Sequence, residues 1–238
     1  MCTRFALLQK DFHAVLERLG VAVPPGFASR YNLPPGTPLP AVRVDPAKGE
    51  RALASLRWGL VPSWAKSERD GPLLANARAE TIAAKPSFRS AYRHRRCVIP
   101  VSGFYEWTKL GERRLPWYLQ RQDGRPFCFA GLWESWHPPG VEPLETCALV
   151  TTAANAEMRP IHDRMPVSLS PAQAETWLDP HRTAADLEPL LLPAPDGTFT
   201  ATPVSSRMNS VRHEGPDCIV PCPHDLPGSE PELPLELG

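Results

Sequence analysis

The chain opens Met1-Cys2-Thr3-Arg4-Phe5. Loss of Met1, which the small Cys2 side chain permits, would leave cysteine as the first residue. An N-terminal cysteine carries a thiol and a free α-amine on adjacent carbons. Unperturbed, the two titrate near ~8.5 and ~7.7–8.0, so both are partly deprotonated at neutral pH. An aldehyde meeting this pair forms a Schiff base with the amine. The thiolate then closes on the imine carbon to give a thiazolidine ring. An internal cysteine lacks this option, because its nitrogen is an amide. The competing reading is plain: Cys2 is a small apolar residue at the start of a buried strand.

Three other clusters set polar residues among apolar or turn-forming neighbours. Asn76 lies in Leu73-Leu74-Ala75-Asn76-Ala77-Arg78-Ala79-Glu80-Thr81, where it either caps a following helix or serves a site. Glu106 stands between Tyr105 and Trp107 in Gly103-Phe104-Tyr105-Glu106-Trp107. Strand alternation turns it to solvent; burial would make it a carboxyl with a raised pKa. His162 sits in Ile161-His162-Asp163-Arg164-Met165-Pro166, as a loop histidine or as a proton shuttle near neutral pH.

The elements that must position these groups are many and short. Arg4 to Leu8 reads as a strand. Asp11 to Leu19 reads as a helix, with Phe12, Val15, Leu16 and Leu19 on one face and Gly20 as its stop. Val23 to Pro40 is loop-like, punctuated by Pro24-Pro25-Gly26 and Pro34-Pro35-Gly36. Ala41 to Val44 and Leu53 to Trp58 pair around a polar turn. Ala77 to Ala84 and Ser87 to Arg93 read as short helices, the second running into Arg93-His94-Arg95-Arg96. Strands then dominate: Cys97 to Val101, Phe104 to Thr108, Trp117 to Arg121, Phe127 to Trp133 and Thr146 to Thr151. Met165 to Leu169 and Thr200 to Val204 add two more. Ser170-Pro171 opens a helix over Ala172 to Leu178, and Thr183 to Leu192 reads as another. These elements imply an α+β fold in one domain, with a largely antiparallel, barrel-like β core flanked by short helices. The domain is expected over residues 2–222, followed by a Pro/Glu-rich tail, 223–238, expected to be disordered.

Composition narrows the classes. The 238 residues can bury a sizeable core, and 42% hydrophobic with 22% charged residues is ordinary for a globular protein. Thirty prolines, more than twice the usual ~5%, imply stiff loops between short elements. A formal net charge of zero means that no global field advertises a nucleic-acid partner, although a local basic cleft remains compatible with it. Lys10, Asp11 and His13 interrupt any early apolar run, and no stretch approaches the ~18–20 apolar residues of a membrane span. The six cysteines are read as free thiols in a reducing cytoplasm. Cys218-x3-Cys222-x-His224 hints at zinc but lacks a second ligand pair, so no metal and no cofactor are expected.

Six motifs occur in order: Met-Cys-x-Arg-Phe, Arg-Tyr-Asn-x-x-Pro-Gly, Trp-Gly-Leu-x-Pro-x-Trp, Asn-Ala-Arg-x-Glu-Thr, Gly-Phe-Tyr-Glu-Trp and Ile-His-Asp-Arg-Met-Pro. Together they strongly resemble the SOS-response-associated peptidase (SRAP) family, the abasic-site processing proteins, from Cys2 to about Cys222. The resemblance implies a single α+β domain with a β-barrel-like core and a basic groove for single-stranded DNA. It implies removal of Met1 and capture of the ring-opened abasic deoxyribose as a covalent thiazolidine crosslink. It assigns catalytic roles to Cys2, Asn76, Glu106 and His162. It suggests Arg4, Arg78 and Trp64 as DNA-binding residues, and further Asn32 and Thr151. The implied partner is single-stranded DNA containing abasic sites, met by a cytoplasmic, nucleoid-associated monomer. Thr3 departs from the glycine usual in the family at that position. Two alternatives stand beside this reading. In one, Cys2 is the N-terminal nucleophile of a peptidase that processes itself. In the other, the protein reads modified DNA without covalent chemistry.

Overall fold

A computed structural model of the chain describes residues 2–68 and 71–224. The disorder expected of the tail falls almost wholly on residues outside this range. The strands are β1 (Phe5–Leu7), β2 (Arg30–Leu33), β3 (Pro38–Val44), β4 (Arg51–Trp58), β5 (Asn76–Arg78), β6 (Arg96–Val101) and β7 (Gly103–Leu110). They continue as β8 (Arg113–Arg121), β9 (Phe127–Trp136), β10 (Leu144–Ala153), β11 (Arg164–Pro166), β12 (Ser168–Leu169) and β13 (Phe199–Pro203). Four helices flank them: α1 (Gln9–Arg18), α2 (Arg89–His94), α3 (Pro171–Leu178) and α4 (Ala184–Leu187).

Five strands close on themselves in the order β10-β4-β3-β6-β9, with β9 pairing back to β10. Every pairing in this ring is antiparallel except β10 with β4, where Thr146 faces Arg57 and Cys147 faces Trp58. The fold is therefore the expected α+β domain around a closed, mixed β-barrel. The ring explains the unbroken apolar runs of β6 and β9. One face of each lines the barrel and the other carries helices, so every residue of β6 is buried and alternation disappears. Trp177 of α3 fastens that outer layer. Its indole N–H donates to the carbonyls of Cys97 (3.0 Å) and Gly131 (3.3 Å) on adjacent strands.

A second sheet, ordered β13-β8-β7-β1-β2, lies beside the barrel with the short β1 between two partners. Phe5 of β1 reaches the barrel's aromatic core, 5.4 Å from the Trp58 ring and 5.8 Å from that of Phe129. Helix α1 follows at once and buries Phe12, Val15 and Leu16 on one face. It ends at Gly20, whose φ of 69° suits glycine.

Three expectations are corrected. Asn76 does not cap a helix over Ala77 to Ala84: Asn76–Arg78 form β5, parallel to Leu149–Thr151 of β10. The alanine-rich sequence favours a helix, but ladder bonds from Leu149 N–H to the Ala75 carbonyl (2.9 Å) and from Ala79 N–H to that of Thr151 (2.8 Å) win. Helical hydrogen bonding resumes only as isolated turns, from Ile82 N–H to the Arg78 carbonyl and from Lys85 N–H to that of Thr81. The stretch Val23 to Pro40 contains β2. The helix expected from Thr183 to Leu192 stops at Leu187 and tightens into a 3-10 turn over Glu188–Leu191, where Pro189 has no N–H to continue it.

Gly131 of β9 reports on the closeness of the barrel wall. A Cβ there would stand 2.6 Å from Ile99 Cδ1 and 2.8 Å from Cys97 Sγ. Gly131→Ala is expected to destabilise the fold by about 1–3 kcal/mol through overpacking, read as a lower urea midpoint at unchanged m-value.

Candidate functional site

Cys2 precedes β1 directly, so the sheet fixes where it sits. Phe5 pairs with Phe104 and Ala6 with Gly103, and Tyr105 N–H donates to the Arg4 carbonyl at 3.0 Å. This antiparallel register runs the chain before β1 alongside Glu106. Asn76 approaches from β5, and its Nδ2 donates to the Cys2 carbonyl at 2.9 Å. The Asn76 Oδ1 is buried and has no hydrogen-bond partner among the described residues. Asn76, Cys2 and Glu106 thus meet at the edge between the barrel and the second sheet.

Cys2 is fully buried at the head of a strand, as the plain reading has it, while Asn76 binds its carbonyl. Burial first, and the Glu106 charge second, hold its thiol well above the ordinary cysteine range. The partly ionised thiol expected of an unperturbed N-terminal cysteine is therefore not the resting state. Its Sγ lies 3.8 Å from the Arg4 carbonyl.

Glu106 does not alternate to solvent; it is 1% exposed. Removal from water pushes its carboxyl up to about 7. The chain's amino-terminal charge, and Arg114 after it, act in the opposite direction. Near neutral pH such a carboxyl both gives and takes protons.

His162 is half-buried, and desolvation followed by the amino-terminal charge holds its ring below the ordinary histidine range. Its Nδ1 accepts from Arg164 N–H at 2.9 Å. Asp163 Oδ1 lies 3.0 Å from the same nitrogen, but its side chain is 84% exposed. One nitrogen lone pair cannot accept from Arg164 while a proton there binds Asp163. The lowered pKa favours the neutral ring, so the proton resides on Nε2.

The suggested DNA-binding residues separate into two groups. Arg78 is exposed and, with Thr3 and Asn76, lines a hollow of about 870 Å3. A second hollow of about 610 Å3 carries Trp64 and Arg57 and shares Pro72, Leu73, Leu74 and Lys85 with the first. The two form one trough leading from Asn76 to Trp64, whose side is 63% exposed. Arg4, Asn32 and Thr151 are used differently. Asn32 is fully buried, and its Nδ2 donates to the carbonyls of Met208, Ser210 and His213. Its Oδ1 accepts from Arg4 Nη1 at 2.9 Å, and Arg4 also donates to the Met208 and Asn209 carbonyls. These bonds strap residues 206–213 across the start of β1. Thr151 is buried in β10, where its carbonyl receives Arg164 Nη2 at 2.7 Å.

The basic run at 93–96 does not extend this trough. Arg95 and Arg96 line a different hollow, where Arg95 pairs with Glu134. Arg96 is buried, donating to the carbonyls of Tyr92, Arg93, Trp177 and Asp179. Lys85 and the Leu73-Leu74 pair were missed as trough residues, because nothing in a single sequence distinguishes them from surface. Cys218, Cys222 and His224 do not gather. His224 Nε2 donates to the Val204 carbonyl (3.1 Å) and its ring stacks edge-on against Trp117, while Cys222 is exposed. Cys218 instead lies near His213 and Asp217.

Comparison with known proteins places this arrangement. Residues 1–211 match the family described as SOS response associated peptidase (SRAP). The chain belongs to the SRAP family. Among its relatives, the abasic site processing protein YoqW of Bacillus subtilis is 39% identical over 224 residues, covering 92% of this chain and 99% of YoqW. YedK of Escherichia coli, an abasic site processing protein, is 32% identical, covering 93% and 100% of the two chains. The abasic site processing protein HMCES of Gallus gallus is 34% identical over 78% of this chain and 62% of its own length. A crystal structure of a Bacteroides thetaiotaomicron protein superposes with a TM-score of 0.82 at 26% identity, covering 93% of this chain and all of that one.

A buried carboxyl raised from 4.5 to about 7 makes the SRAP fold pH-sensitive. Below its unfolded value the group is neutral in both states and costs nothing. As pH rises from 4.5 to 7, the unfolded chain ionises freely while the fold keeps the carboxyl protonated, so stability falls by about 3 kcal/mol and stays at that lower level above 7. Glu106→Gln should therefore stabilise the protein by an amount of that order at about pH 8 and leave it nearly unchanged at about pH 4, by urea unfolding.

Proposed function

We propose that this SRAP protein senses and shields abasic sites in single-stranded DNA by forming a thiazolidine crosslink through Cys2. The observation that carries the reading is the meeting of Cys2, Asn76 and the Glu106 carboxyl, poised near 7, at the end of a trough bearing Arg78, Lys85 and Trp64. The names of the relatives, abasic site processing proteins, support the substrate.

Removal of Met1 converts the Cys2 amide nitrogen into the required amine. The abasic sugar rests mainly as a closed hemiacetal. Glu106 takes the C1′ hydroxyl proton and passes it to the ring oxygen as the C1′–O bond breaks, so the aldehyde appears with no net proton change and Glu106 returns to the carboxylate. His162, holding its proton on Nε2, donates a hydrogen bond to the freed sugar hydroxyl. The Cys2 amine adds to C1′ and one of its protons moves to the carbonyl oxygen; Glu106 takes the second nitrogen proton and gives it to the resulting hydroxyl, which leaves as water. The nitrogen then holds a C=N bond to C1′. The thiol adds across that bond: sulfur joins C1′ and its proton passes to nitrogen. Asn76 holds the Cys2 carbonyl through these steps, and its Oδ1 is available to orient the amine.

Because burial keeps the thiol protonated at rest, the amine attacks first and sulfur second. The same fact weighs against a peptidase, which would need the thiolate before any substrate arrives. Arg78 and Lys85 offer phosphate contacts without sequence preference, and the exposed Trp64 offers a base-stacking face.

The deciding experiment incubates purified protein, its N-terminal Cys2 verified by mass, with a single-stranded oligonucleotide carrying one abasic site. A heat-stable shifted band is expected on a denaturing gel, and it should vanish with Cys2→Ala and with protein that retains Met1. Glu106→Gln should lower the crosslinking rate about 10²-fold or more, the range of general acid–base contributions. An intact band from Cys2→Ala, or none from the verified wild type, would refute the proposal.

A further inference from the structure

Arg164 performs two separate tasks. Its backbone N–H fills the His162 Nδ1 lone pair at 2.9 Å. Its side chain is clamped elsewhere: Nη1 and Nη2 donate to the two carboxylate oxygens of Glu80 at 2.6 and 3.0 Å. Nη2 also donates to the Thr151 carbonyl at 2.7 Å. That carbonyl accepts Ala79 N–H as well, at 2.8 Å. One β10 oxygen thus joins the end of β5, which carries Asn76, to the start of β11, which His162 precedes. Ala154 N–H to the Asp163 carbonyl, 2.9 Å, and the pairing of Arg164 with Ala153 in the β10–β11 ladder hold the same turn to β10, and His162 N–H to the Met158 carbonyl, 3.0 Å, closes it on its other side.

The fork has the planar two-bond geometry that distinguishes an Arg–carboxylate pair from a point contact. Arg164 is largely buried and Glu80 half exposed. Hydrogen bonding to Arg164 is the main influence holding the Glu80 carboxyl below the ordinary range. None of this touches the Cys2 thiol or the trough hollows directly, so the fork has no role in binding as described above.

We propose that Glu80 is a positioning residue: through the Arg164 fork it holds the 162–164 turn so that His162 is kept in its Nε2–H tautomer. A neutral imidazole has one donor nitrogen and one acceptor nitrogen, and the partner of the first decides the role of the second. With Nδ1 occupied by a backbone N–H, Nε2 can only donate. If the turn relaxes, the ring is released to both tautomers, and half of the molecules present a lone pair where the sugar hydroxyl needs a proton. The functional half of this inference rests on the crosslinking reading; the tautomer half does not.

The test uses the full-length protein with Met1 removed, labelled with 15N at histidine. Long-range proton–nitrogen spectra identify which ring nitrogen of His162 carries hydrogen, the signal being assigned by its loss in His162→Gln. Wild type should show one Nε2–H tautomer. Glu80→Ala should show a mixture near one to one, with crosslinking slowed about twofold, in proportion to the molecules left without the Nε2 proton. Its affinity for the same oligonucleotide without an abasic site should stay within about twofold, a change below 0.5 kcal/mol. Glu80→Gln, which keeps one acceptor oxygen, should fall between the two and guards against a folding defect in the alanine variant. A pure Nε2–H tautomer in both variants would overturn the clamp. A mixed tautomer with an unchanged rate would overturn its relevance to the reaction. A wild type that forms no crosslink would sink the proposed function, while the spectra would still decide the clamp.

Discussion

Three residues of backbone pairing govern this molecule. Strand β1 is short, yet it is hydrogen-bonded on both edges and anchored through Phe5 into the aromatic centre of the barrel. A chain terminus is ordinarily among the loosest parts of a domain. Here the start of the chain feeds an interior strand, and Cys2 lies three residues before Phe5. The fold thereby holds Cys2 as firmly as a core side chain. Asn76 completes this from the other side by binding the Cys2 carbonyl, a contact indifferent to the residue's side chain.

The electrostatics of the site follow from the same burial. Taking Glu106 out of water costs stability at neutral pH and places its titration where proton transfer is useful. The neighbouring thiol is driven the opposite way from reactivity. Around Cys2 a carboxylate and carbonyls stand nearby, and the chain's amino-terminal charge is the opposing positive influence on its thiol.

Much of this was legible in the sequence, and for identifiable reasons. Strong apolar periodicity gave α1, and Ser170-Pro171 marked the start of α3, where the capping box forms as its residues suggest. The barrel strands announced themselves by β-branched and aromatic runs between glycines. Asn76 was misread in its local setting because its strand is stabilised by a partner 73 positions away, Leu149 against Asn76, which no local propensity reports. Glu106 stayed ambiguous until both faces of β7 proved to be covered. Arg4 and Asn32, suggested as DNA-binding residues by the resemblance alone, place polar atoms on carbonyls at residues 208–213. A polar side chain between apolar neighbours looks the same in sequence whether it meets solvent or a buried loop.

That strap from the far end of the chain bears on how the protein comes into being. The residues that fix the start of β1 are made at widely separated times: Arg4 and Asn32 leave the ribosome early, and the carbonyls of Met208 to His213 emerge late. Until then the nascent N-terminus lacks its strap, and until β7 appears it lacks its inner neighbour. On the proposed chemistry, which requires the loss of Met1, an aminopeptidase has its best access during translation, before the strand is enclosed.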